Sequence, residues 1–158
     1  MRLLIHFFII CVIVILGIIL MNSQVFRVFD INPNILMVLI MVLIASRIRF
    51  GVLCVIFGLL ALFSYLFFPF WGLEYGFIIL CGFLIFLVRS RFTGNSMGDI
   101  IIFSSISTII FSLLNWFFTN SSLFVVPLIY EVVYNGIWAI VLLSALKGFL
   151  KHSPIVRL

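Results

Sequence analysis

Long apolar runs separated by short polar breaks make up almost the whole chain. The first run extends from Leu3 to Met21, with His6 as its one strongly polar residue. The second covers Ile31–Ser46 and the third Phe50–Phe68. After a turn at Pro69–Gly76 come a fourth over Phe77–Val88, a fifth over Ile100–Phe118 and a sixth over Phe124–Leu146. The runs are continuous and do not alternate with period two, so they predict helices and not the strands of a barrel. At about 20 residues of helix per crossing, the pattern predicts an all-α membrane bundle of about six spans. It forms a single domain over residues 1–158, with almost nothing outside the bilayer.

The first run also has the look of a signal peptide, with Arg2 ahead of an apolar core. No small-x-small motif follows it, and the polar stretch Asn22–Asn34 leads straight into more apolar sequence. It is therefore expected to remain as a span. The second and fourth runs are short, reaching only about 18–24 Å as helices, so neighbours or a thinned bilayer must shield them. Pro33 suits the first turn of the second helix, where its missing N–H costs little. Ser96 is a candidate cap for the fifth, with Asp99 as its capping-box partner.

Composition agrees with a lipid environment. Hydrophobic residues make up 66% of the chain and charged ones 8%, against about a quarter charged in soluble domains. A water-soluble fold of this size cannot hide so much apolar surface. Charge then gives orientation. With the N-terminus inside, Arg2, Arg47, Arg49, Arg89, Arg91, Lys147, Lys151 and Arg157 all fall on the cytoplasmic side, which leaves only Arg27 of the nine basic residues outside, beside Asp30 and Glu74. Both termini are then cytoplasmic. The net charge of +5 reads as a topology device and a contact with anionic membrane lipids. Nucleic acid is not the expected partner, because the basic residues sit in tight turns instead of one patch. Trp71, Tyr75 and Trp116 fall near the outer boundary, where amphipathic rings prefer to lie. Cys11, Cys54 and Cys81 have no metal or redox spacing and are expected to be small buried packing residues.

Glu131 is the residue most suggestive of function, because an ionisable group within a span is expensive to keep there. Asn135 and Trp138 follow on the same helical face, and Tyr130 and Tyr134 form a neighbouring ridge. The patch either meets a ligand or partner helix, or is a Glu hydrogen-bonded within the bundle. Ser104, Thr108, Ser112, Asn115 and Thr119 form a polar stripe along the fifth run, spaced as a helix-packing seam. Gly51, Gly58 and Ala61 give the third a smooth face. Asp30, Glu74, Asp99 and Glu131 fall in four separate segments, so no paired carboxylates arise within one run. Nucleophile–base pairs, metal-ligand spacing and glycine-rich phosphate loops are also missing by sequence, which points away from an enzyme, a metal site or a cofactor. A weak internal echo pairs Ser46-Arg47-Ile48-Arg49-Phe50-Gly51 with Arg89-Ser90-Arg91-Phe92-Thr93-Gly94. It is either a trace of duplication or convergence of basic turns.

The order of these features resembles the MreD family of rod-shape-determining membrane proteins. The resemblance rests on Pro33-Asn34 opening the second run, Arg47-Ile48-Arg49-Phe50-Gly51 after it, and Gly58-Leu59-Leu60 in the third. Pro69-Phe70-Trp71-Gly72-Leu73-Glu74-Tyr75-Gly76, then Cys81-Gly82-Phe83 ending in Arg89 and Arg91, and Asn135-Gly136 before a basic tail continue it. The chain departs from the family in offering Ser64 and Tyr65 where the third span would carry an acidic residue. The resemblance implies a non-enzymatic subunit of the bacterial elongation machinery in the cell membrane. Such a subunit is a partner of MreC and works with the MreB cytoskeleton and the peptidoglycan synthases. It also implies a fold similar to the substrate-binding subunits of energy-coupling-factor vitamin transporters. That suggests the alternative function, with Glu74, Glu131 and Asn135 lining a vitamin pocket. The expected partner surface comprises Glu131, Tyr134, Asn135 and Trp138 together with Pro33 and Asn34.

Overall fold

The structure, a computed structural model, describes residues 2–23, 33–67, 72–91, 96–119 and 125–151. Nearly all of them are helical. The helices are α1 (Arg2–Ser23), α2 (Ile35–Ala45), α3 (Phe50–Phe67), α4 (Gly72–Val88), α5 (Ser96–Thr119) and α6 (Val125–Lys151), with one 3₁₀ turn, Arg89–Arg91, after α4. Among the described residues, three segments are long and apolar enough to cross a membrane: Leu73–Arg91, Met97–Phe118 and Val125–Gly148. In lipid each backbone polar group must be satisfied within the protein, and helices do this by themselves. The chain is a membrane-embedded helical bundle.

Its axis is α2. Every residue from Ile35 to Ile44 is buried, and α1, α4, α5 and α6 pack around it, with α3 laid against α4 and the edge of α1. Eleven residues rise only about 16 Å, roughly half of a hydrocarbon layer about 30 Å thick. A helix this short is tolerated because protein, not lipid, surrounds it and receives its unpaired ends. At the C-terminus, Arg47 takes a left-handed conformation, φ 57°. Its N–H donates to the Ile44 carbonyl at 3.0 Å, and the Ile48 N–H donates to that of Leu43 at 3.2 Å. This is a Schellman termination, with the buried Ile48 side chain sealing it. Glycine normally occupies the left-handed position, and an arginine there carries strain of about 1–2 kcal/mol.

The structure corrects several expectations. Pro33 precedes the helix instead of opening it, because the Asn34 side chain accepts the Met37 N–H and so caps α2 one residue later. The fourth helix is not short. Gly72–Gly76 belongs to α4, where Glu74 in the first turn complements the positive helix end and Tyr75, 1% exposed, is drawn into the core. Tyr75 is therefore no interfacial anchor, whereas Trp116 is exposed and Trp71 lies outside the described residues. Of the cysteines only Cys81 is buried; Cys11 is intermediate and Cys54 exposed. The smooth face of α3 points outward, since a Cβ added at Gly51 or Gly58 meets nothing within 4 Å. Ser96 is the first residue of α5 and Asp99 lies buried in its first turn; the side chain needed for the capping contact lies outside the described residues.

At Gly82 α4 lies close against both α2 and α3. A Cβ there would stand 2.7 Å from Cζ of Phe57 and 3.1 Å from Cγ2 of Ile40. Gly82→Ala is therefore expected to lower stability by about 1–3 kcal/mol through overpacking, although alanine is the better helix former. Thermal unfolding in detergent checks this against Gly76→Ala, whose Cβ meets open space and which is expected to be neutral or stabilising.

Candidate functional site

The polar residues of α5 and α6 meet across one seam. Thr108 and Ser112 are a turn apart on α5, and Glu131 and Asn135 are a turn apart on α6. Ser112 Oγ donates to Glu131 Oε2 at 3.2 Å, and Asn135 Nδ2 donates to Thr108 Oγ1 at 2.9 Å. The later residue of one helix meets the earlier residue of the other, so α5 and α6 run antiparallel.

A third helix enters at the deeper of these contacts. The backbone N–H of Asn34 donates to Asn135 Oδ1 at 3.0 Å. The Asn34 side-chain oxygen in turn accepts the Met37 N–H at 3.0 Å, and its carbonyl accepts that of Val38 at 3.0 Å. Pro33, buried beside it, accepts the Ile35 N–H at 2.9 Å. The start of α2 is thus held by α6, which is held by α5. Thr108 lies midway along α5, so this polar node sits at mid-depth in the bundle.

The orientation of the Asn135 carboxamide is dictated by its neighbours. The Thr108 hydroxyl commits its hydrogen to the Ser104 carbonyl at 2.8 Å, so toward Asn135 it offers only a lone pair and must meet the NH₂ group. The carboxamide oxygen then faces the Asn34 N–H. Asn135 is 0% exposed and Asn34 5%. In a low-dielectric interior, such a fully matched network is worth keeping intact, because any one unmatched member is costly.

Glu131 has a different setting. It is partly buried, with Ser112 on its inner side, while Ile129, Tyr130, Val133 and Ile137 around it are exposed. Tyr134 and Trp138 are half-buried, and Trp138 packs against the core. The proposed set therefore divides in two. Pro33, Asn34 and Asn135 form an internal join, whereas Glu131, Tyr134 and Trp138 border the outward face of α6.

Sequence reasoning found the polar stripe of α5 but not its individual partners. Ser104 and Thr108 are buried and Asn115 is half-buried, while the Thr119 side chain lies outside the described residues. Ser104 Oγ is buried without a hydrogen-bond partner, so its contribution is small size at the seam, not a bond. Ser107, absent from the expected stripe, donates to the Phe103 carbonyl at 2.6 Å, and the Cys81 thiol donates to the Ser107 carbonyl at 3.8 Å. That contact ties α4 to α5. The matching four-residue spacings, 108 to 112 and 131 to 135, were the available signal for the α5–α6 pairing.

Chemically the arrangement joins helices. Glu131 is the one carboxyl group in these hydrogen bonds, and among the described residues no three His, Cys, Asp or Glu side chains gather. Comparison with known protein families, with characterised proteins and with solved structures returns no match.

Proposed function

We propose that the protein is a non-enzymatic membrane subunit that holds other proteins together, in the manner of MreD, within the bacterial cell-elongation machinery. Its partner is an MreC-like protein, its fold has six spans with both termini cytoplasmic, and its place is the bacterial cell membrane. The observation that carries the reading is the division of the polar residues. Asn135 is consumed in holding α2, so it is not free to bind a ligand. Glu131 stands at the margin of an exposed, apolar α6 face that includes Tyr130, Val133 and Ile137. A half-buried carboxylate on such a face suits a helix–helix contact, where one polar group supplies specificity and packing supplies affinity.

The same division weighs against the alternative, a vitamin-binding transporter subunit. Such a pocket needs Glu74, Glu131 and Asn135 to converge. Here Asn135 turns inward to α2, while α4 and α6 pack against α5 and α2 and, among the described residues, have no extended contact with each other.

The test is affinity purification of the tagged chain from its native membrane in mild detergent. Recovery of MreC-like and wall-synthesis proteins is expected. Glu131→Ala should reduce that recovery several-fold and disturb cell shape, whereas Glu74→Ala should change little. Equal and negligible effects of the two substitutions would remove Glu131 from the interface. Recovery of ATPase subunits or a bound vitamin instead would transfer the protein to the transport class.

A further inference from the structure

The two halves of the internal echo are in contact. Arg89 Nη1 donates to the Ile48 carbonyl at 3.0 Å, and its guanidinium lies 3.9 Å from the centroid of the Phe86 ring. Phe86 in turn packs on Phe50, ring centroids 5.2 Å apart. The turn between α2 and α3 is thereby fastened to the 3₁₀ turn after α4. Arg47 and Arg49 flank the residue whose carbonyl Arg89 holds, and Arg91 shares the 3₁₀ turn with Arg89. Four arginines are thus gathered at one corner of the bundle. Arg47, Arg49 and Arg91 are exposed and make no ion pair among the described residues.

We propose that this corner is a binding site for an anionic phospholipid, whose phosphate is held by Arg47, Arg49 and Arg91 while its acyl chains run along α3 and α4. Three observations lead there. The guanidinium is a planar fork that matches phosphate oxygens in pairs, and three unneutralised ones share this corner. Arg89 and the Schellman turn fix the backbone that carries them, so the site is preorganised. Directly beside the arginines, Phe50, Leu87 and Val88 present exposed apolar side chains, a surface that suits acyl chains and is of no use to a free phosphate or an acidic peptide. Basic pockets between membrane helices bind phospholipid headgroups in this way. The left-handed Arg47 fits the assignment, since glycine would terminate α2 with less strain but carry no charge. The site is independent of whatever α6 contacts.

The purified full-length chain in neutral detergent provides the test, with thermal unfolding and native mass spectrometry as readouts. Phosphatidylglycerol or cardiolipin should raise the unfolding midpoint and remain bound, and phosphatidylcholine should do neither. The variant R47Q/R49Q/R91Q should lose the response, at about fivefold in affinity per arginine. The charge-matched variant K147Q/K151Q/R157Q should keep it. Should the triple variant fail to fold, Arg47→Gly removes one guanidinium while easing the turn, and should bind about fivefold more weakly with undiminished stability. Equal losses from the two triple variants would overturn the site in favour of diffuse charge. An equal response to phosphatidylcholine, or the same midpoint shift with inorganic phosphate alone, would overturn a phospholipid as its occupant.

Discussion

Asn135→Leu is expected to destabilise the folded bundle by about 2–4 kcal/mol, the larger part of it from one backbone group. Leucine has the same number and branching of side-chain heavy atoms as asparagine, so no cavity is opened, although its methyl groups are bulkier than the carboxamide. What disappears is the acceptor for the Asn34 N–H and the donor to Thr108. The second loss is modest: side-chain hydrogen bonds between membrane helices average about 0.6 kcal/mol and reach about 1.7. The first leaves a buried N–H at mid-depth with no water to accept it, which costs about 1–3 kcal/mol. Thr108→Val removes the Asn135 contact and the hydroxyl's own bond to the Ser104 carbonyl without touching α2, and is expected to cost about 1 kcal/mol. Asn34→Ala removes the cap on Met37 and is expected to cost about 1 kcal/mol. Denaturant unfolding of the full chain in detergent gives the order. If Asn135→Leu proves no worse than Thr108→Val, α2 is not held in the way the geometry requires.

That network illustrates what was legible in the sequence. The apolar runs locate each of the six α-helices of the described residues, because continuous hydrophobicity is a local property. They misplaced the start of α4, since Gly72 and Gly76 resemble turn residues in one dimension. It is the burial of Tyr75 that favours helix there, and burial is a tertiary fact. Pro33 suits a first helical turn because its missing N–H costs little there, but Asn34 takes the cap because its side chain reaches Met37. Glu131 and Asn135 stood out as polar groups within an apolar run, and the α5 stripe was visible by spacing. Their opposite fates were not visible. Asn135 is buried because α2 begins at its level, and nothing local in α6 announces where another helix begins. The contact between Arg89 and Ile48 was hidden for the same reason: the echo of two basic turns is a pattern, whereas their meeting depends on α2 and α4 ending at one depth. Sequence periodicity reports which side of a helix is special, and the neighbours decide what occupies that side.

The other large effect concerns the contact between α1 and α2, and it takes the form of a size exchange. Leu36 is wholly buried, and a Cβ on Gly17 would lie 3.5 Å from its Cδ1 and 3.6 Å from Cδ2 of Leu39. Those are ordinary contact distances, so Gly17→Ala should be tolerated. Gly17→Leu has no room for the rest of its side chain and is expected to cost about 1–3 kcal/mol. Leu36→Ala leaves a cavity and should cost about 2–5 kcal/mol. Within a bilayer this penalty is a packing loss, since lipid tails are as apolar as leucine and little hydrophobic force is at stake. The double variant G17L/L36A places the missing atoms back from the other side. Its destabilisation should therefore be smaller than that of Leu36→Ala alone, which independent sites cannot produce because their costs add. Lipid-facing leucines supply the reference: Leu62→Ala on α3, where the side chain is exposed, should change the unfolding midpoint little. Additive losses at positions 17 and 36 would mean that α1 does not dock on α2 through this pair. Rescue would establish the first helix as part of the protein's own packed interior, because only a helix seated against α2 can refill a cavity made there.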